Sequence, residues 1–134
     1  MRARQFIIEG RDEHANIVEM FKKFLPLAME MLKVDSLPEM QFSPELNTGD
    51  QPSFGMYVPD ENILVVALAN RHPVDILRTV AHELVHYKQN MNDELTPDSG
   101  KTGSPQENQA HELAGVIMRN FNKSYPEYLK SKPL

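Results

Sequence analysis

His82 and His86 stand four residues apart in the run His82-Glu83-Leu84-Val85-His86, an H-E-x-x-H pattern. On a helix that spacing puts both imidazoles on one face, one turn apart, where two ring nitrogens can grip a single ion. Glu83 lies between them, and a carboxylate held near such an ion is suited to take a proton from water. An ion that keeps one position open to water needs a third protein ligand, whereas a closed structural site uses four. With no cysteine in the chain, only nitrogen and oxygen donors are offered, which excludes zinc ribbons and any disulfide framework. Two imidazoles and a carboxylate suit zinc best, with cobalt, nickel or copper as possible substitutes.

The third ligand has two acidic candidates downstream, Glu107 and Glu112. With Glu107 at zero and a step of ~100° per residue, Ala110, Leu113, Ala114, Val116, Ile117 and Phe121 fall between roughly 180° and 340°. Glu107 therefore borders the buried face, and Glu112, near ~140°, faces solvent. The choice falls on Glu107. Its ordinary alternative is structural: in Ser104-Pro105-Gln106-Glu107 it could be the reciprocal half of a capping box. His111, one turn after Glu107, could orient a ligand, act as an alternative ligand, or be a surface residue.

These side chains need two helices to carry them. From Pro73, a residue suited to the first helical position, Ile76, Leu77, Val80, Ala81, Leu84 and Val85 form an apolar stripe. On that wheel His82, Glu83 and His86 occupy the other side, between roughly 240° and 340°, so the ligands leave the core face free. A loop rich in Gly, Ser, Thr and Asp at Asn92–Gly103 precedes the second helix, expected from Ser104 to about Asn122. Upstream, Ile17, Phe21, Phe24, Ala28, Met31 and Leu32 predict one long helix from about Asp12 to Lys33, kinked at Pro26. Between Ser36 and Asp50 the composition predicts loops around one short strand near Met40–Ser43. Ser53–Val58 and Asn62–Ala69 predict a hairpin closed by Pro59-Asp60-Glu61-Asn62. The tail, Tyr125–Leu134, contains two prolines and is expected to be irregular. The class is α+β, with helices on a small, mostly antiparallel sheet.

At 134 residues the chain fits one domain, 1–134, of ordinary soluble composition. Its longest apolar run, Ile63–Ala69, is far short of a membrane span, and Met1–Gly10 lacks the apolar stretch of a secretory signal. No membrane association is expected. A formal charge of −5 argues against a nucleic-acid partner, since phosphate contacts need a basic surface. Nothing in the sequence requires a second copy, so a monomer is the expectation. His14, among charges, and His72, in the turn before Pro73, are read as ordinary surface and helix-start residues.

The chain resembles the gluzincin metallopeptidases, which combine H-E-x-x-H with a glutamate on a downstream helix; His82, Glu83, His86 and Glu107 match that pattern, and the twenty residues between His86 and Glu107 lie within the family's usual spacing. The stretch from Gly103 to Gly115 is also similar to small peptidases encoded by tailed bacteriophages. The resemblance covers about Ser53 to Phe121. It implies a small zincin-like fold and a Zn2+ ion on His82, His86 and Glu107. Glu83 would be the general base that activates water for hydrolysis of a peptide or protein substrate. It also implies that Ser53–Val58, with Gly55, Met56 and Tyr57, pairs with an extended substrate. Larger gluzincins often carry an aspartate four residues after the ligand glutamate; here that position is His111, whose neutral ring could make the same orienting bond. A phage-like peptidase would act in the host cytoplasm or on the virion.

The alternative from another class is a non-catalytic adaptor that keeps the metal to stabilise a small fold. A fourth ligand from His111 would favour the adaptor, and an open fourth position the enzyme. A deformylase-like amidase is excluded, because that family uses a cysteine ligand. The tail Tyr125–Leu134 could also lie in the substrate cleft as an internal inhibitor. Tyr57, Tyr87, Tyr125 and Tyr128 are each able to stabilise an oxyanion, and none is singled out.

Overall fold

The computed structural model describes the backbone of residues 12–44, 46–48 and 51–134 and the side chains of 17–44 and 54–134. The segment Met1–Gly10 and the side chain of His14, both interpreted above, lie outside the described residues. Among the described residues the chain is mixed α+β, with three α-helices and a small three-stranded mixed sheet.

The first helix, α1, runs Asp12–Leu32 as one element with Pro26 inside it. It ends at Lys33, whose φ of 58° is the left-handed conformation that closes many helices. The Val34 N–H then reaches back to the Met29 carbonyl at 3.0 Å. Ile17, Phe21, Phe24, Ala28 and Leu32 of the predicted stripe are fully or almost fully buried, together with Met20, while Met31 is only partly buried against the core.

Strand β1 is Glu39–Ser43, β2 Leu46–Thr48, β3 Gln51–Ser53, β4 Gly55–Val58 and β5 Ile63–Ala67. β4 and β5 form the expected antiparallel hairpin, with Gly55 opposite Val66 and Tyr57 opposite Leu64. Its turn closes on Asn62, which sits at φ 54° and donates its N–H to the Pro59 carbonyl. A short polar side chain tolerates that conformation.

The sheet order is β1-β5-β4, and β1 pairs parallel to β5, with Glu39 opposite Ile63 and Ser43 opposite Ala67. This corrects the expected mostly antiparallel sheet. Parallel pairing needs a crossover long enough to return to the same end, and the residues between β1 and β5 supply it. Those residues are also less irregular than composition suggests, because β2 and β3 pair as a separate antiparallel ladder with Pro52 in it.

Helix α2 spans Pro73–Met91. His72 is its N-cap, its Nδ1 accepting the Val74 N–H at 3.1 Å, so the ordinary role expected for it is the one it has. Helix α3 spans Pro105–Ser124 and is capped by Ser104, whose Oγ accepts the Glu107 N–H at 3.0 Å. The buried faces of both helices, with Ile76, Leu77, Val80 and Leu84 from α2 and Ala110, Ile117, Met118 and Phe121 from α3, join the α1 stripe and Leu64 and Val66 of β5 in one core. Arg71, 6 % exposed, ties the hairpin to the start of α2. Its guanidinium donates to the Phe54 and Ala67 carbonyls at 3.2 and 2.8 Å and to Asp75 Oδ2 at 3.1 Å.

The tail is more ordered than its prolines suggest. Pro126–Lys130 is a 3-10 helix, and Tyr128 is buried against Phe121 with its hydroxyl accepting from Lys23 Nζ at 3.0 Å. Beyond it Leu134 pairs with the residues before α2: its N–H donates to the Arg71 carbonyl, and the Asn70 N–H donates to its own carbonyl, both at 2.9 Å. No helix among the described residues is long and apolar enough to cross a membrane.

Candidate metal centre

Because α2 turns its apolar stripe into the core, His82, Glu83 and His86 are left at its margin, where α3 packs alongside. The first turn of α3 brings Glu107 between the two histidines. His82 Nε2 lies 2.8 Å from Glu107 Oε1, and His86 Nε2 lies 3.2 Å from Oε2. His111, one turn further on, places its Nε2 3.4 Å from Oε1 and its ring edge-to-face on His82, with centroids 4.6 Å apart.

Glu107 is therefore not the second half of a capping box. Ser104 caps the Glu107 N–H, but the Ser104 N–H is already taken by the Lys101 carbonyl at 3.0 Å, and the Glu107 carboxylate points to the imidazoles instead. Glu112, the rejected candidate, is exposed.

His82, Glu107 and His111 offer ligand atoms that all lie within 4.8 Å of one another, and this group could hold a metal ion. His86 meets the same carboxylate through its other oxygen and lies outside that group of three. Donor atoms at ~2.0–2.1 Å from a tetrahedral zinc stand ~3.3 Å apart. The separations of His82 and His111 from Glu107 Oε1, 2.8 and 3.4 Å, and of His86 from Oε2, 3.2 Å, are close to that value. The donor set, imidazole nitrogens and one carboxylate, fits zinc. The histidines differ in exposure: the His82 and His86 side chains are 15 % and 11 % exposed, whereas His111 is 69 % exposed.

Burial sets the protonation of the site. It lowers the pKa of His82 more than the neighbouring Glu107 charge raises it, and the nearby His86 and His111 lower it further. A neutral imidazole is the form that ligates metal. Glu83 is 9 % exposed and its carboxyl is pushed up to about 8, chiefly by burial and then by the Glu107 charge, while the Tyr57 backbone N–H pulls the other way by donating to it. Glu83 Oε2 stands 4.0 Å from His82 Nε2, beside the cluster and not within it.

The cluster opens on a cleft of about 420 Å³ lined by His82, Glu83, His86 and Glu107, by Gly55, Met56, Tyr57 and Pro59, and by Leu95, Thr96, Ser99 and Gly100 of the loop between α2 and α3. The three residues expected to face a substrate thus lie at the cleft, on β4, an edge strand of its sheet. Gly55 is needed there for closeness: a Cβ on it would stand 2.5 Å from Thr79 Cγ2 and 3.6 Å from Glu83 Cγ. No residue of Tyr125–Leu134 lines the cleft.

Three of the four tyrosine hydroxyls are engaged elsewhere: Tyr57 donates to Asn62 Oδ1 and accepts from Asn90, Tyr87 pairs with Ser36 Oγ, and Tyr128 with Lys23. Sequence reasoning missed Gln89, which is 1 % exposed and lies 2.8 Å from His86 Nδ1, and it missed the loop residues of the cleft. The signal for Gln89 was its position three residues after His86, on the same helical face. Loop residues carry no such period.

Comparison with protein-family models, with curated proteins and with solved structures returned no match.

Proposed function

We propose that the chain is a zinc-dependent endopeptidase, with the ion on His82, His86 and Glu107 and with Glu83 as general base. The observation that carries this reading is the Glu107 carboxylate, withdrawn from its capping role and shared by His82 and His86 at the mouth of a cleft that Glu83 also lines. A zinc ion bound there would acidify a water molecule and polarise the scissile carbonyl.

The chain's own residues supply the rest. Glu83 is a carboxyl whose proton affinity burial has raised into the range where it exchanges protons near neutral pH, as a base that takes a proton from water and returns it to a leaving amine must do. Gly55, Met56 and Tyr57 offer an extended backbone beside it, and the Tyr57 N–H holds the Glu83 carboxylate in place. Backbone pairing with a peptide reads little of its sequence, which fits a protein or peptide substrate in general.

The test is bound zinc per chain in the wild type, Glu83→Gln and Glu107→Ala, with cleavage of a broad peptide library by each. The peptidase reading expects zinc near one per chain in the wild type and Glu83→Gln, cleavage in the wild type alone, and weakened zinc in Glu107→Ala. Absence of specific zinc binding by the wild type would sink it.

One observation favours a second reading. His111 Nε2 is 3.4 Å from Glu107 Oε1, near enough to close the site as a fourth ligand and make it structural. His111→Ala separates the two: a closed site loses zinc with the histidine, while the peptidase keeps both zinc and cleavage.

A further inference from the structure

We infer that Gln89 is a positioning residue of this centre: its amide oxygen accepts a hydrogen bond from His86 Nδ1–H and fixes the ring so that Nε2 is presented to the metal. The inference rests on the metal site proposed above, and its argument starts from an asymmetry in the Gln89 amide. Gln89 Nε2 lies 3.1 Å from the Gln106 backbone carbonyl, which can only accept. That settles which end of the amide is which, a choice otherwise open for glutamine. The oxygen is then the atom 2.8 Å from His86 Nδ1, and this nitrogen must carry the hydrogen.

The second amide hydrogen goes to Gln109 Oε1 at 2.7 Å. With both donors and the acceptor engaged in a side chain only 1 % exposed, the amide has no freedom to invert. The anchor is also tied into the cleft wall. The Gln89 carbonyl accepts the Glu94 N–H at 2.8 Å, immediately before Leu95 and Thr96. One residue on α2 thus sets the His86 ring, holds the first turn of α3 through Gln106, and starts the loop that lines the cleft. Partners of this kind fix the tautomer of a ligand histidine and are worth ~10–100-fold in metal affinity.

The test has a metal-free arm and a zinc arm. Long-range proton–nitrogen NMR of the His86 ring in the metal-free wild type should find Nδ1 protonated. In Gln89→Met, which keeps the length of the side chain and removes the acceptor, the proton should move to Nε2, where Glu107 can accept it. Gln109→Ala removes a partner of the same amide without touching His86 and should leave the ring unchanged. In zinc competition against a chromogenic chelator, Gln89→Met should bind ~10–100-fold more weakly. Gln89→Glu, which retains an acceptor, should recover most of that loss, and Gln109→Ala should bind like the wild type. An unprotonated Nδ1 in the wild type overturns the inference, as does a folded Gln89→Met that binds zinc with wild-type affinity. Should Gln89→Met not fold, the wild-type ring and Gln89→Glu decide the matter. A wild type that binds no zinc refutes the metal reading itself, and the His86 tautomer, read without metal, still decides the role of Gln89.

Discussion

Gly55→Ala should test how closely α2 must approach the hairpin for the site to form. The added Cβ would stand 2.5 Å from Thr79 Cγ2, against the ~3.5–4.0 Å at which two carbons normally pack, and 3.2 Å from the Val65 carbonyl oxygen. Thr79 cannot simply turn its methyl away. Its Oγ1 accepts from Arg71 Nη2 and donates to the Asp75 carbonyl at 3.2 Å, so a new rotamer would break the bonds that tie Thr79 to Arg71 and Asp75. Overpacking of this kind costs ~1–3 kcal/mol. For a chain of this length ~2 kcal/mol corresponds to a fall in Tm of roughly 6–10 °C. Thr79→Ser deletes the clashing methyl and keeps the hydroxyl. A double-mutant cycle by urea denaturation of the metal-free protein should therefore show Gly55→Ala costing less in the Thr79→Ser background, with a coupling of ~1–2 kcal/mol. If Gly55→Ala were neutral, or equally damaging in both backgrounds, the close approach of Gly55 to Thr79 would be refuted.

Three further outcomes follow from other contacts. Ser104→Ala removes the cap on the Glu107 N–H and the 2.7 Å bond to the Ser99 carbonyl, and should lower stability by ~1 kcal/mol in thermal unfolding while the zinc affinity of the folded protein changes little. Truncation at Tyr125 strips Tyr128 from Phe121 and Leu134 from Arg71. It should lower Tm by several degrees without raising the rate of peptide cleavage; a faster truncated protein would restore the inhibitor idea. In chelated protein, Glu83→Gln should change the pH dependence of stability. The Glu83 value rises on folding from 4.5 to about 8, so its favourable contribution is complete below ~4.5 and is lost as pH rises through ~8. Relative to wild type the variant should therefore gain, by an amount on the order of a few kcal/mol, between pH 5 and pH 9 in urea titrations, and a gap that does not move with pH would contradict the burial of Glu83.

The three helices were legible because each carries an apolar face at a period of 3.6, and α2 and α3 also announce their starts through His72-Pro73 and Ser104-Pro105. The β4–β5 hairpin was legible from its turn. The direction of β1 was not, because an alternating strand reads the same whether its neighbour runs parallel or antiparallel. Nor was the order of the tail: Tyr128 and Leu134 are held by Phe121, Lys23 and Arg71, partners distant in sequence that no local pattern reveals. At the site, the wheel argument put Glu107 at the border of the buried face and Glu112 in solvent, and the structure finds Glu107 beside the two histidines and Glu112 exposed. It left His111 open, since a residue one turn beyond a ligand can face the ligand or the solvent; here the ring touches His82 and Glu107 while remaining largely exposed.

The same geometry explains why the cluster is suited to a cation. Glu83 and Glu107 lie close enough that the Glu107 charge raises the proton affinity of Glu83, and burial denies Glu83 full hydration. The His82 ring does not relieve this as a cation would, because burial favours its neutral form despite the carboxylate 2.8 Å away. The metal-free site therefore brings the neutral His82 ring and two carboxyl groups close together. A divalent ion would offset that repulsion and restore Glu83 toward its ionised form, which would link ion binding to the state of the proposed base. Zinc should stabilise the fold by mass action, about 2.7 kcal/mol at one hundred times its Kd. The advantage of Glu83→Gln at alkaline pH, being a relief of the same repulsion, should shrink once zinc is bound.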